Sequence, residues 1–277
     1  MASFVVHNIA GEKFLQLLEE SGINLSPEQK DKFLLGNLIV DSSKIKKVIP
    51  EGVNAEELKK IKKYYRNLIQ DEKIATHFRD NNDLELCIQK PDLSKFINKY
   101  GNLFKEDISV LGYFFHLFTD KLFFEDLFKA TFSCLDKDGR ETNYAKDVTS
   151  MYVKKNGRIY SQIEFWNGDN KESIYHDYTV MNKILLEYYG CIFDKNRLLD
   201  SSKSFINPGI EEVDYSNITS VLNKTESFIK ESYATEDNTL YVFDYDMVKN
   251  FISVVAHNFF NTYYDLIKLA ISNGRLL

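Results

Sequence analysis

The first half of the chain has the spacing of amphipathic helices. Over residues 8–133, apolar residues recur every three or four positions, which places them on one face of a helix. Ser26 begins one such helix, because Pro27 follows it and Gln29 stands where a capping box places its second member. A polar helix over residues 55–70 is predicted next, on the same spacing.

Two more helices are predicted from aspartates that precede apolar runs. Asp92, which follows Pro91, begins a helix that reaches about Phe104. Asp107 begins the most apolar helix of the chain, which spans residues 108–132. Both starts are acidic, as the positive end of the helix dipole favours.

Residues 134–175 depart from this helical spacing. Asn156 and Gly157 stand between two short apolar runs, 151–153 and 159–165, and this arrangement predicts a β-hairpin with a type I′ turn. A second turn signal after the hairpin would add a third short strand. We interpret the region as a β insertion packed on the helical body, because about 30 residues bury too little surface to fold alone.

Helical spacing returns after the insertion. It predicts helices over 178–191, 215–233 and 246–271, a short strand at 240–243, and a loose connection over 193–212. No segment repeats, and none is of low complexity. The chain, residues 1–277, is therefore predicted to be one mainly α-helical domain: a multi-helix bundle with a small β-hairpin insertion.

Composition agrees with this fold class and excludes several functions. The 277 residues include only 12 Gly and 4 Pro, which favours long helices over a β-sandwich. The net charge of −6 argues against a protein that coats nucleic acid, because phosphate binding needs a basic surface. Three cysteines without close spacing indicate a reducing compartment. The apolar run 110–118 is too short to span a bilayer, so we expect a cytoplasmic protein without a transmembrane segment.

The most informative polar residues are His116 and Asp120, which lie inside the most apolar predicted helix. At 100° per residue they share one face, about one turn apart, which is the geometry by which two side chains hold one metal ion. A buried carboxylate requires a partner. That partner can be a divalent cation, or it can be the histidine itself in a hydrogen bond within the core.

Two other segments supply candidate ligands. Asp41 ends the run Leu-Gly-Asn-Leu-Ile-Val-Asp, just past a predicted apolar helix. His77 stands in Thr-His-Phe, just past the predicted polar helix. Taken singly, Asp41 could instead cap a turn and His77 could be an ordinary surface histidine.

Taken in order, these segments resemble the zinc-dependent phospholipase C family, to which single-strand-specific zinc nucleases are related. The resemblance covers about residues 5–128. It begins at an early histidine, His7, continues through the run that ends at Asp41 and the Thr-His-Phe at His77, and closes with Leu-Gly-Tyr-Phe-Phe-His-Leu-Phe-Thr-Asp. It implies an all-helical bundle around a cluster of metal ions, usually zinc.

The resemblance also implies a set of ligands and a reaction. One metal ion would be held by Asp41, His77, His116 and Asp120, and a second would share Asp120 and be bound by His7. The reaction would be hydrolysis of a small phosphoester or a phospholipid-like substrate. Zn²⁺ lowers the pKa of a bound water to about 7, and Asp41 would accept its proton.

The chain departs from the family pattern at the further ligands. Asp126 stands six residues after the helix aspartate, where family members carry another histidine. The downstream His-x-x-x-Glu pair is absent, because neither His176 nor His257 has Glu four positions later. Asp126, His176 and His257 are thus candidate additional metal ligands only. We expect one well-formed site, with one or two ions in total, and the missing ligands argue against a third.

Two alternatives remain open from the sequence. The same residues could form a structural metal site or a buried His–Asp network in a scaffold or binding module without catalysis, since four protein ligands close a zinc site. Alternatively, the adjacent His176 and Asp177 resemble the pair found in HD-type metal phosphohydrolases. The same dipeptide also fits a helix start with a surface histidine.

Overall fold

The fold is known from a computed structural model that describes residues 2–44, 72–79, 86–167, 170–190 and 193–272. These residues form mainly α-helices and one small antiparallel sheet, which confirms the predicted fold class. The predicted polar helix over 55–70 lies outside the described residues. Within the described ranges, no helix has both the length and the apolar character that crossing a bilayer requires.

The elements are named here in chain order. The helices are α1 (Phe4–Glu20), α2 (Pro27–Ile39), α3 (Glu72–Thr76), α4 (Leu93–Tyr100), α5 (Ile108–Leu122), α6 (Gln162–Trp166), α7 (Ile174–Tyr189), α8 (Lys195–Ser202), α9 (Ile218–Ala234), α10 (Tyr245–Thr262) and α11 (Tyr264–Ser272). The strands are β1 (Phe132–Leu135), β2 (Ser150–Val153) and β3 (Arg158–Ser161). Short 3₁₀ turns occur at Gly101–Lys105, Ala145–Asp147 and Tyr215–Asn217.

The helix starts predicted from capping residues are confirmed. At α2, the Ser26 side chain accepts the Gln29 N–H and the Gln29 side chain accepts the Ser26 N–H, which completes the capping box. Asp92 and Asp107 accept backbone N–H groups at the starts of α4 and α5. These contacts satisfy N–H groups that have no partner inside the helix, so the local sequence fixes where each helix begins.

Helices α2 and α5 approach each other more closely than side chains allow. A Cβ atom at Gly36 of α2 would stand 2.1 Å from the Ser109 carbonyl oxygen. A Cβ atom at Gly112 of α5 would stand 2.0 Å from the Phe33 carbonyl oxygen. Only glycine permits this contact. The two backbones therefore touch one turn before His116, and the crossing positions that residue against α2.

Aromatic rings fill the core beside this crossing. Phe14 of α1, Phe33 of α2, Phe115 of α5 and Phe259 of α10 are fully buried. Their contacts have ring centroids 5.0 to 5.7 Å apart, in stacked, tilted and edge-to-face arrangements. Such contacts are favourable for aromatic pairs, and together they bind four helices into one core.

Helix α5 continues beyond Leu122 by changing its hydrogen-bond pattern. A π-helical turn spans Phe123–Phe128, and a last α-helical turn spans Lys129–Thr131. All three phenylalanines of the π turn are buried. The predicted extent of this helix, to about residue 132, is therefore confirmed.

The sheet has β2 in the centre, antiparallel to both neighbours. The predicted hairpin is present as β2 and β3, but a type I′ turn is wrong. Four residues separate the paired Val153 and Arg158, and the Gly157 N–H donates to the Val153 carbonyl oxygen. Gly157 has a φ of 68°, whereas the residues before it in the turn do not have the positive φ that a type I′ turn needs.

The third strand precedes the hairpin, and the prediction that it comes after the hairpin is wrong. It is β1, which pairs with β2 so that Phe132 stands opposite Val153. Residues 162–165, predicted as the end of a strand, lie in α6 instead. Ser161 and Glu164 make a reciprocal capping box at its start, and this local signal outweighs the alternation of apolar residues.

Three predictions in the last third of the chain are also wrong. Residues 240–243 form a loop instead of a strand, because the backbone N–H groups of 241–243 donate to the Asp177 carboxylate. The closing helix is two helices, α10 and α11, separated at Tyr263. The connection over 193–212 contains α8.

Candidate metal centre

Five side chains predicted as ligands converge between α1, α2, α3 and α5. His7 is the fourth residue of α1. His116 and Asp120 come from α5, His77 follows α3, and Asp41 stands just past α2. The three histidines and Asp120 are at most 1% exposed. The Asp41 side chain is 6% exposed, so it lies on the least enclosed side of the cluster.

Four side chains of this cluster bring ligand atoms close to one another. His77 Nε2 lies 3.2 Å from His116 Nε2, 3.3 Å from Asp120 Oδ2 and 3.8 Å from Asp41 Oδ1. His116 Nε2 lies 4.0 Å from Asp120 Oδ2. Ligands about 2.1 Å from a tetrahedral zinc ion are about 3.4 Å apart. Two of the observed distances are close to that value, and the other two exceed it by about half an ångström.

Asp120 directs its two oxygens at different histidines. Oδ2 faces His77, whereas Oδ1 lies 3.3 Å from His7 Nε2. Oδ1 also accepts a hydrogen bond from the Ala2 N–H at 2.8 Å. The carboxylate thus stands between two sets of nitrogen atoms, as a bridging ligand does.

The orientation of His116 is fixed by the backbone of α2. Its Nδ1 donates to the Asn37 carbonyl oxygen at 2.7 Å, so Nε2 carries the lone pair and points into the cluster. This outer hydrogen bond is typical of metal-ligating histidines, because it holds both the tautomer and the ring direction. The close crossing at Gly112 brings the two groups within reach.

His77 is held by its immediate neighbours. Its Nδ1 lies 3.0 Å from the Thr76 hydroxyl oxygen, and the Tyr113 hydroxyl donates to the Thr76 carbonyl oxygen at 2.5 Å. Phe78 has a φ of 52°, a conformation that a bulky residue rarely adopts, and its ring packs edge-on against Tyr113. This turn directs Nε2 of His77 toward the other ligands.

His7 stacks on His116. The two rings are almost parallel, at an interplanar angle of 8°, with centroids 3.6 Å apart. Both nitrogens of His7 are buried and accept or donate no hydrogen bond among the described residues. Nε2 lies 3.3 Å from the Asp120 Oδ1 oxygen. A buried imidazole without a well-aligned hydrogen bond is costly, and a ligand role for Nε2 would remove that cost.

The protonation of the cluster suits a cation. Burial lowers the pKa of His77, and burial together with the neighbouring His7 lowers the pKa of His116 well below 6.5. Burial alone would raise the pKa of Asp120, but His7 and His77 beside its oxygens hold it well below its ordinary value. At neutral pH the two histidines are therefore neutral and the aspartate is charged, as metal ligands must be.

These buried groups can hold a metal ion. The ligand atoms of His7, His116 and Asp120 lie within 4.8 Å of one another, and so do those of Asp41, His77 and His116. His116 belongs to both groups. The donor set of imidazole nitrogens and carboxylate oxygens is one that zinc accepts.

The three additional candidates stand outside both groups of ligands in the described part of the chain. Asp126 is exposed in the π turn. His176 pairs with Asp237 at 3.6 Å, and its neighbour Asp177 binds the backbone of the 241–243 loop. His257 is exposed, because the buried positions of α10 lie on the opposite face.

Sequence reasoning missed the groups that position the ligands. Asn37 and Thr76 make the outer contacts of His116 and His77, and both stand within the runs that indicate the ligands. Their adjacency to a candidate ligand was the available signal: Thr76 directly precedes one, and Asn37 lies one helical turn before Asp41.

Comparison of the chain with models of protein families, with curated proteins and with solved structures finds no match. The class of site is defined by its geometry: a buried histidine–carboxylate centre able to hold a metal ion.

Proposed function

We propose that this protein is a metal-dependent phosphoester hydrolase and that its metal is zinc. The observation that carries the proposal is the division of Asp120 between two sets of histidines, at 3.3 Å on each side. A shared ligand between ions about 3.5–4 Å apart is the arrangement of many phosphatases and nucleases. The sequence resemblance to zinc-dependent phospholipases C supports the same chemistry.

Each ligand has a role in this proposal. Asp41, His77, His116 and Oδ2 of Asp120 would hold the first ion. His7 and Oδ1 of Asp120 would bind the second. Zinc fits better than magnesium, because imidazole nitrogens outnumber carboxylates in the cluster and magnesium prefers oxygen.

Bound zinc would supply a water with a pKa of about 7 and would neutralise charge on a phosphoryl oxygen. The chain itself would supply the proton acceptor. Asp41 is the least enclosed carboxylate of the cluster, and an oxygen that it does not use as a ligand would accept the proton of the attacking water. The substrate, a small phosphoester or a phospholipid-like molecule, would approach from the same side.

The test combines metal content with turnover. Chain freed of metal by chelation and then incubated with Zn²⁺ should retain one or two ions per chain after desalting. It should hydrolyse bis-(p-nitrophenyl) phosphate or p-nitrophenyl phosphate, and lose that activity on renewed chelation. His116→Ala should lose both properties, since His116 belongs to both groups of ligands.

His257→Ala is the matched control, because that histidine is exposed and outside the cluster. It should behave as the unaltered chain does. Activity that survives chelation, or equal activity in His116→Ala and His257→Ala, would exclude the proposed hydrolase.

A structural metal site is the second candidate, favoured by the depth of the cluster. Four protein ligands complete a tetrahedral zinc site and leave no position for substrate. In that case zinc would bind stoichiometrically and raise the unfolding temperature, with no turnover of either phosphate ester.

A further inference from the structure

One residue contacts both helices that carry histidine ligands. Asn37 of α2 is fully buried between α1 and α5. Its backbone carbonyl oxygen accepts a hydrogen bond from His116 Nδ1, and its side-chain Nδ2 donates to the His7 carbonyl oxygen, each at 2.7 Å. The side chain thus acts on α1, whereas the backbone acts on α5.

Glycines make room for both contacts. Gly112 lies one turn before His116, and a Cβ there would stand 3.0 Å from the Asn37 backbone nitrogen. Gly11 lies one turn after His7, and a Cβ there would stand 2.9 Å from Asn37 Nδ2. Each histidine therefore has a glycine on the same face of its helix. Gly112 leaves room for the Asn37 backbone, and Gly11 leaves room for the Asn37 side chain.

Asn37 is a poor choice for core stability alone. Its Oδ1 is buried, and among the described residues it accepts no hydrogen bond. An unpaired buried oxygen destabilises a fold, and an apolar side chain of the same size would avoid that loss. The bond that its amide nitrogen makes to α1 is the feature that a leucine could not replace.

We infer that Asn37 is a positioning residue that selectively supports the second metal position. This inference rests on the proposed function, because it requires two ions. The amide of Asn37 fixes α1 and thereby the distance of His7 from Asp120. The first position depends on the Asn37 carbonyl, which every substitution retains. Loss of the side chain should therefore lower the affinity for the second ion and leave the affinity for the first unchanged.

The experiment is a titration of the chelated protein with Co²⁺, followed by calorimetry and by the visible absorption of the bound ion. Asn37→Leu keeps the volume and removes the donor. Removal of an outer-sphere contact typically lowers metal affinity 10–100-fold. We expect that loss for the second ion, with first-ion affinity within about threefold of the unaltered chain and an unchanged first-ion spectrum.

A second variant serves if Asn37→Leu does not fold. In Gly11→Ala the new methyl group would displace the flexible end of Asn37, while alanine favours the helix. Gly11→Ala should also lower the affinity for the second ion and leave the affinity for the first unchanged. Gly101→Ala is the matched control, because its Cβ would meet nothing closer than 3.6 Å.

A double-mutant cycle completes the test. In a His7→Ala background, Asn37→Leu should change Co²⁺ binding no further, since both act on the same ion. Suppose that the unaltered chain binds two ions while Asn37→Leu lowers both affinities equally, or lowers neither. Either result would overturn this inference and leave the proposed function standing. A chain that binds only one ion would do the same. A chain that binds no ion would overturn the proposed function as well.

Discussion

Replacement of Gly112 by alanine should separate the two central helices and disable the candidate metal centre. The new Cβ would stand 2.0 Å from the Phe33 carbonyl oxygen, and a contact of even 3.0 Å is rare. Since both groups belong to helix backbones, neither can rotate away. Helix α5 must therefore move relative to α2 by about 1 Å, which is large for a packed core.

Two opposing effects set the change in stability. Alanine is favoured over glycine inside a helix by about 1 kcal/mol. Overpacking of a core costs about 1–3 kcal/mol, and more where backbone must move. Because backbone must move here, the cost should lie at about 2–3 kcal/mol, so we expect a net loss of about 1–2 kcal/mol in the free energy of unfolding, measured by urea denaturation with circular dichroism.

The effect on metal binding should be larger than the effect on stability. Ligand distances in metal sites vary by only about 0.2 Å, so a shift of about 1 Å exceeds that tolerance severalfold. His116 and Asp120 would move with α5, whereas Asp41 would stay with α2. Zinc affinity, measured by competition with a chromophoric chelator, should fall at least about 10-fold. Gly101→Ala should leave both properties unchanged. A Gly112→Ala chain with the original stability and zinc affinity would refute the close crossing.

Three further predictions concern single groups. His116→Ala should reduce bound zinc to background, measured by elemental analysis, with helix content preserved; retained stoichiometric zinc would contradict the ligand assignment. Burial lowers the pKa values of His77 and His116 from 6.5, so the unfolded chain binds their protons more readily. The free energy of unfolding of metal-free protein should fall as pH decreases below about 6.5, by up to about 1.4 kcal/mol per pH unit for each histidine. Above about pH 6.5 these two histidines should not change the free energy of unfolding. Urea denaturation from pH 5 to pH 8 measures this, with His257→Gln as the control, and a flat profile would exclude it. Asp177→Ala removes the acceptor of three backbone N–H groups, so the free energy of unfolding should fall by about 2–4 kcal/mol and proteases should cleave the 240–243 loop sooner.

Features set by neighbouring residues were predictable from sequence. The capping residues Ser26, Asp92 and Asp107 act within one helical turn, and each marks a helix start in the structure. The spacing of His116 and Asp120 gave their common face, because helix geometry alone determines it. The capping box of Ser161 and Glu164 is equally local. It predicts α6, whereas the alternation of apolar residues over 159–165 predicts a strand.

Features set by distant residues were not predictable in the same way. The loop at 240–243 has the composition of a strand, but its N–H groups bind a carboxylate more than 60 residues earlier in the chain. The contacts of Asn37 likewise join three helices. Nothing local to that residue indicates which backbone its amide will reach.

The candidate ligands stand between these cases. Each of His7, Asp41 and His77 is unremarkable within its own segment, and their interpretation as ligands came from a resemblance in order and context. The structure brings them to His116 and Asp120 in an arrangement that can hold a metal ion, while the bound metal and the reaction stay predictions. The glycines at the helix crossing allow α2 and α5 to approach, and this brings the segments together. The sequence does not show which helix will pack against a given glycine.

The π turn at Phe123–Phe128 fixes the number of residues between the candidate ligand Asp120 and the first strand of the sheet. It contains one residue more than an α-helix would need over the same rise, and each residue rotates the chain beyond it by 100°. Asp120 precedes this turn and Phe132 comes after it. Deletion of one residue would leave an ordinary helix, yet it would point the first strand of the sheet away from β2. Insertions and deletions in descendants of this sequence should therefore be absent from this stretch and should accumulate in the connections on either side of it.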